Sequence, residues 1–147
     1  MHINASHRRL QDLQEGHVLY FPAGLLGFPQ HKRYQIRNHS QEAPFRWLQA
    51  MDDPPLAFVI TDPFAFLPDY CAALQEQDLH DLNVIDPHEL ALFVIVTLPR
   101  ETSSCLTVNL QGPVLVNCTN GRAKQLVLVS SPYHTQHALL VAPKGSS

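Results

Sequence analysis

Apolar residues in this chain fall in short runs of strand length, separated by proline and turn residues. The runs at 18–21, 34–37, 45–51, 56–61, 90–98, 106–110, 114–118, 126–129 and 137–141 are rich in Val, Ile, Phe and Thr. Those residues fit a pleated, half-buried backbone. Twelve prolines punctuate them, and proline resists a central strand because it has no N–H for the ladder. Asp52-Asp53-Pro54-Pro55, Asp62-Pro63, Gly112-Pro113 and Asn120-Gly121 mark turns. Asn120-Gly121 between two apolar runs predicts a type I′ hairpin, since both residues tolerate positive φ. Residues 90–98 are apolar at almost every position, which predicts a strand buried on both faces in the middle of the fold.

One segment has a helical pattern. In 75–83, Leu79 and Leu82 share a face while Gln and Asp fill the rest, predicting a short helix. Asp86-Pro87-His88-Glu89 carries the cap, first-turn proline and glutamate of a helix start. The β-branched run after it limits that helix to about one turn. Parallel strands need long crossovers, usually helical, and one helix cannot serve eight or nine strands. The expected fold is therefore all-β and mainly antiparallel, a small closed or partly open β-barrel with one short helix. A barrel also removes sheet edges, which matters for so apolar a chain. With no internal repeat or linker, 1–143 reads as a single domain and 144–147 as a disordered tail.

Composition narrows the function. The chain has 147 residues, 45% of them apolar and only 16% charged. That charged fraction is low for a soluble domain, argues against a disordered chain and leaves neutral surface for partners. Small barrels also simply have few charged positions. The formal net charge is −3 and the densest basic clusters, Arg8-Arg9 and Lys32-Arg33, are two residues long, which argues against direct nucleic-acid binding. Cys71, Cys105 and Cys118 are odd in number and widely spaced, as expected for free thiols in a reducing compartment. The N-terminus lacks the apolar stretch of a secretory signal. The apolar run at 90–98 is far short of the ~20 residues that span a bilayer. The expected location is the cytoplasm, with no membrane association.

Candidate chemistry is sparse. Gly24-Leu25-Leu26-Gly27 lacks the Lys and the following helix of a phosphate loop and reads as a tight turn. No Gly-x-Ser-x-Gly elbow occurs, and Ser103-Ser104 and Ser130-Ser131 read as turn hydroxyls. Cys118, His134 and His137 give three potential zinc ligands at best, where a structural site wants four. His2, His7 and His17 could bind metal only loosely. Asp52, Asp53, Asp62 and Asp69 could supply an acid–base pair, but three of them adjoin a proline, where Asp initiates turns. No nucleophile, base and orienting group form a defensible set, so neither an enzyme nor a cofactor is expected. Two other classes stay open: a small-ligand-binding or hydrolytic barrel using Asp52, Asp53 and His137, and an OB-like nucleic-acid module.

Several phrases together resemble the FliW family of flagellar assembly factors. Residues 21–28, with Gly24, Gly27 and Phe28, are similar to the family's F-x-x-G-[IL]-x-G-F turn, and Tyr34 follows. Residues 45–49 resemble its PF-x-x-LQS segment, with Ala50 for the serine, and 56–63 its LAF-[VI]-x-x-x-P segment. Asp69-Tyr70 matches a D-Y pair. Thr107, Asn109, Leu110, Pro113 and Asn117 resemble T-x-NL-x-[AG]-P-x-x-x-N, and Ala123-Lys124-Gln125 and Tyr133 continue the order. The match runs over about 21–137. Gln136 departs from it, standing where the family tends to carry a cation.

The resemblance implies a monomeric partner switch that binds cytoplasmic flagellin and, when flagellin is exported, captures CsrA, a small RNA-binding translational repressor. A mildly acidic surface would speed encounter with such a cationic partner, and an amphipathic flagellin helix would lie in an apolar groove. The least strand-like and most acidic stretch, Phe64, Phe66, Asp69, Tyr70, Glu76, Gln77 and Asp78, is the expected protein contact; its two phenylalanines could equally be core. Thr107, Asn109 and Gln125 read as side chains that tie backbone groups at strand ends.

Overall fold

The computed structural model describes residues 1–38, 44–97, 106–129 and 132–139. The strands are β1 (His2–Ile3), β2 (Val18–Tyr20), β3 (Arg33–Asn38), β4 (Phe45–Ala50), β5 (Ala57–Thr61), β6 (Ala72–Ala73), β7 (Leu90–Thr97), β8 (Leu106–Val108), β9 (Val114–Asn117), β10 (Ala123–Gln125) and β11 (His137–Leu139). The helix α1 spans Glu76–Asp81, and single 3₁₀ turns occupy Leu10–Asp12, Pro63–Ala65 and Pro87–Glu89. Every named strand pair is antiparallel.

The main sheet runs β10-β9-β7-β5-β4-β3-β2, with β8 beside the end of β7 and β11 outside β8; β1 and β6 form a separate two-stranded sheet. β7 organises it. Its first half, Leu90–Phe93, pairs with β9, and its second half pairs with β5 on one side and β8 on the other. The sheet curls but does not close. β2 and β10 touch at one parallel bridge, Tyr20 to Arg122, where Tyr20 N–H donates to Gly121 O at 2.8 Å. Arg33 and Arg122 lie over the Tyr20 ring at 4.9 and 5.8 Å, stacking cations on this seam.

Two apolar cores lie on opposite sides of β7. Leu90, Leu92, Val94 and Val96 face one with Ile3, Phe64, Tyr70, Leu74, Leu82, Leu126 and Leu128. Phe93 faces the other, inside the curl, with Leu19, Phe21, Tyr34, Ile36, Leu48 and Ile60. This explains why β7 is apolar throughout, while β3 alternates Tyr34 and Ile36 inward with polar residues outward. A buried side chain of this size contributes about 1.5–3 kcal/mol. The N-terminal segment joins both cores: Ile3 enters the first, Leu10 and Leu13 the second. Arg46 donates to the carbonyls of Leu10 and Leu13 and so fixes that entry.

Two sequence expectations need correction, and one strand pair was missed. The strand expected at 126–129 lies instead at 123–125. Residues 126–129 run on beside 111–113, with Leu126 N–H donating to Pro113 O and Leu128 N–H to Gln111 O, both at 2.8 Å. Pro113 has no N–H to return the Leu126 bond, so past β10 the chain is held by these one-way bonds. The hairpin at Asn120-Gly121 forms, but among the described residues only Asn83 is a non-glycine with positive φ. Gly121 alone takes φ +77°, so the connection is the longer loop 118–121, not a type I′ turn. The β1–β6 pair was not anticipated. The expected serine turns at 103–104 and 130–131, Cys105, and the end of the strand expected at 137–141 lie outside the described residues, as does the tail 144–147.

Candidate partner-binding surface

The contact stretch expected around 64–78 divides between core and surface. Phe64 and Tyr70 are 3% and 1% exposed. Asp62 caps the turn before Phe64, accepting from its N–H at 2.9 Å, and pairs with Arg9 at 2.6 Å; Arg9 in turn lies over the Phe64 ring. Tyr70 packs against Tyr133 with ring centroids 4.6 Å apart, and its hydroxyl donates to Leu110 O at 2.6 Å. Burial pushes the Tyr70 pKa well up, as expected for a phenol kept from water. Neither side chain can touch a partner without opening the core, which corrects the expectation for these two. Phe66 is half-buried against the same core. Asp69, Glu76 and Gln77 are exposed.

Helix α1 sits where the acidic residues can both cap and face out. Asp78 accepts from Gln75 N–H at 2.8 Å, completing a capping box. Lys124 on β10 donates to Asp78 at 2.8 Å and to Asp81 at 2.9 Å, while Gln77 donates to Asp81 at 2.7 Å. Asp78 is therefore committed to holding the helix. The Lys124 bond, then the Gln77 bond, holds the Asp81 carboxyl below its ordinary range. Burial works against the Lys124 ammonium, but its two carboxylate bonds outweigh that and raise its pKa. Helix α1 carries three acids, and only Asp78 and Asp81 share Lys124, so this rim stays negative.

Beside the Lys124 clamp lies a groove of about 580 Å³. Cys71, Ala73 and Gln75 form one wall and the chain from Lys124 to Val129 the other, with Tyr133 at its end. Cys71 N–H donates to the Tyr133 hydroxyl at 3.2 Å. Val127 and Val129, two residues apart just beyond β10, are 57% and 70% exposed at this wall, an apolar exposure that marks a candidate contact surface. On the other side of Lys124 a second cavity of about 460 Å³ is lined by Pro22, Ala23, Asp81 and Arg122. The groove and its exposed valines were missed in the sequence, although four consecutive apolar residues at 126–129 exceed what one face of a strand can bury.

The signature residues hold the backbone around this surface. Gln125 joins two motifs: it accepts from Leu26 N–H at 3.0 Å and donates to Gly112 O at 2.9 Å. Asn109 accepts from Gly112 N–H at 2.8 Å. Buried Asn117 donates to Leu82 O at 3.0 Å and accepts from Thr119 N–H at 3.0 Å, tying β9 to the end of α1. Gly24 takes φ +70°, and a Cβ there would sit 2.6 Å from Phe28 O. Gly27 takes φ +85° in open space, and Phe28 packs edge-on to Phe58 with ring centroids 5.1 Å apart. Thr107 pairs with Thr97 and Ala138 through its strand, but its side chain makes no hydrogen bond among the described residues. Pro113 accepts from Leu126 N–H and has no N–H to return that bond.

The candidate chemistry does not assemble. Asp52 pairs with His31 at 3.0 Å, Asp62 with Arg9, and Asp53 is exposed. His137 lies on β11, and no bond or ion pair links it to Asp52 or Asp53 among the described residues. No group of three His, Cys, Asp or Glu residues stands close enough to hold a metal among the described residues. Cys118 lies beside Glu89 and Arg8, and burial pushes its thiol up to about 11. Gln136, the departure from the family pattern, is exposed just before β11. No described helix is long and apolar enough to cross a membrane.

Comparison with known proteins agrees with the motifs. The family model described as FliW protein matches residues 3–139. The flagellar assembly factor FliW of Alkaliphilus metalliredigens is 38% identical over 130 residues, covering 88% of this chain and 80% of the relative. That of Caldanaerobacter subterraneus subsp. tengcongensis is 35% identical over 141 residues, covering 95% and 93%. A crystal structure of the flagellar assembly factor FliW superposes with a TM-score of 0.77 at 28% identity, covering 99% of this chain and all of that one. With its signature residues bound to one another around an incompletely closed antiparallel sheet, this chain belongs to the FliW family of flagellar assembly factors.

Proposed function

We propose that this protein works in the cytoplasm as a partner switch that binds flagellin and, once flagellin is exported, captures CsrA and relieves its repression of flagellin translation. The observation that carries this reading is family membership across residues 3–139. The family is one of assembly factors, not of enzymes. Two physical features support it. Among the described residues the candidate acids and histidines are spread over separate pairs and loops, an arrangement in keeping with work by surface contact. The α1 rim is acidic, which suits encounter with a cationic RNA-binding partner.

The contact surface takes in Asp69, Glu76 and Gln77, with half-buried Phe66 behind them. Asp78 stays with Lys124. The test is a pull-down with purified flagellin and purified CsrA using the double variant Asp69→Lys, Glu76→Lys. Loss of CsrA capture with an unchanged circular dichroism spectrum is expected. Capture of both partners at wild-type levels would remove this surface from the proposal.

A further inference from the structure

The incomplete closure of the sheet leaves an edge. β10 pairs with β9 on one side only, and the seam with β2 meets this edge at Arg122, at its start. The register fixes what the rest presents. Asn117 N–H donates to Arg122 O, Leu126 N–H to Pro113 O and Leu128 N–H to Gln111 O. Residues 122, 124, 126 and 128 therefore point their backbone groups toward β9 and the loop before it. In an antiparallel ladder the alternate residues point theirs away. Gln125 N–H and C=O and Val127 N–H consequently point outward, and none has a backbone partner among the described residues.

The facing wall repeats the pattern. Leu74 N–H donates to Met1 O, and His2 stands opposite Ala73. Ala73 is thus a non-hydrogen-bonded position whose N–H and C=O point away from β1. Ala73 and the 124–129 chain line the same groove of about 580 Å³. Two strand edges whose outward N–H groups have no backbone partner among the described residues line one groove, bordered by exposed Val127 and Val129. A helix satisfies its own backbone and would leave both edges unpaired. An extended chain would pair with them.

We propose that this groove takes an extended segment of the protein partner, added as a strand along Gln125–Val127. The occupant has apolar side chains at alternate positions, to cover the two valines, and a flanking Lys or Arg. The cation is set by charge: Asp78 lines the groove's α1 end beside Lys124, and Glu76 is exposed in the same helical turn. This inference rests on the proposed partner switch and replaces the helix-in-groove expectation for this surface. An extended segment also explains why exposed valines persist beside this short edge, where proteins ordinarily bury or charge one.

Hydrogen–deuterium exchange on the full chain tests it, alone and saturated with purified flagellin or purified CsrA. In the free protein the Gln125 and Val127 amides exchange quickly and those of Leu126 and Leu128 slowly. Partner binding is expected to slow Gln125 and Val127 by about tenfold or more, the scale of one backbone bond formed away from water. Val127→Pro removes an outward donor without touching the β9 ladder and should weaken that partner by about tenfold. Val127→Thr keeps the donor and should weaken it less. If Val127→Pro lowers the melting temperature, the exchange pattern in the unaltered chain still decides. A partner that binds while both amides keep exchanging quickly overturns the strand-addition inference but leaves the partner switch standing. Binding by neither protein overturns both. Protection that grows with protein concentration in the free chain assigns the edge to a second copy and overturns the inference.

Discussion

Tyr70→Phe separates a core role from a contact role at one atom. The ring is 1% exposed and packs on Phe64 and Tyr133, so the substitution keeps its volume and neighbours. It removes the 2.6 Å bond to Leu110 O, and the buried carbonyl is left without that donor. Stranding a buried acceptor costs about 1–3 kcal/mol, and a short bond in a dry core falls mid-range, near 2 kcal/mol. For a chain of this size that lowers the melting temperature by about 4–8 °C. Scanning calorimetry reads the shift, and isothermal titration with each partner reads affinity. Partner affinity should stay within about twofold, since the buried hydroxyl bonds inward to Leu110 O and its removal leaves the ring packed on Tyr133. An unchanged melting temperature, or lost affinity without lost stability, would refute the assignment of Tyr70 to the core.

Other expectations follow from single contacts. Gly24→Ala should lower the urea midpoint more than Gly27→Ala: both carry positive-φ strain of about 1–2 kcal/mol, but only at position 24 does the new Cβ strike a carbonyl, at 2.6 Å. The Asp81 carboxyl is held below its unfolded value. Its contribution is therefore present above about pH 4 and lost as pH falls through its folded value. Exposure keeps this effect small, and it should shrink in Lys124→Met, where only the Gln77 bond remains, when α1 amide exchange is compared at pH 5 and pH 3. Cys118, with its thiol raised to about 11, should resist iodoacetamide at pH 8 in the native chain and react on unfolding, as read by mass spectrometry.

The sequence made most of the sheet legible because prolines and apolar runs mark β2 to β5, β7 and β9 directly. The apolar continuity of 90–97 placed β7 at the centre, where two cores now meet it. Helix α1 was legible from Leu79, Leu82 and the acids around them. The N-terminal contribution was not: Ile3, Leu10 and Leu13 are single apolar residues in a polar stretch, and their burial depends on a sheet that long-range pairing creates. The candidate surface was half legible. Composition picked out Glu76 and Gln77 but could not tell Asp78, a helix cap, from a free acid, nor Tyr70, a core hydroxyl, from an exposed one. The groove depends on how far β10 and β6 stand apart, which no local pattern encodes. The motif residues Asn109 and Gln125 behaved as their chemistry suggested, because short amides beside glycine turns have few better partners than the backbone.

Isothermal titration of the purified full chain with purified flagellin and, separately, with purified CsrA tests the central claim most directly. Saturable heat with each partner at micromolar concentration or tighter is the expected result, with CsrA binding from the flagellin-free form. No heat with either protein, from a sample whose calorimetric melt shows it folded, would contradict the account.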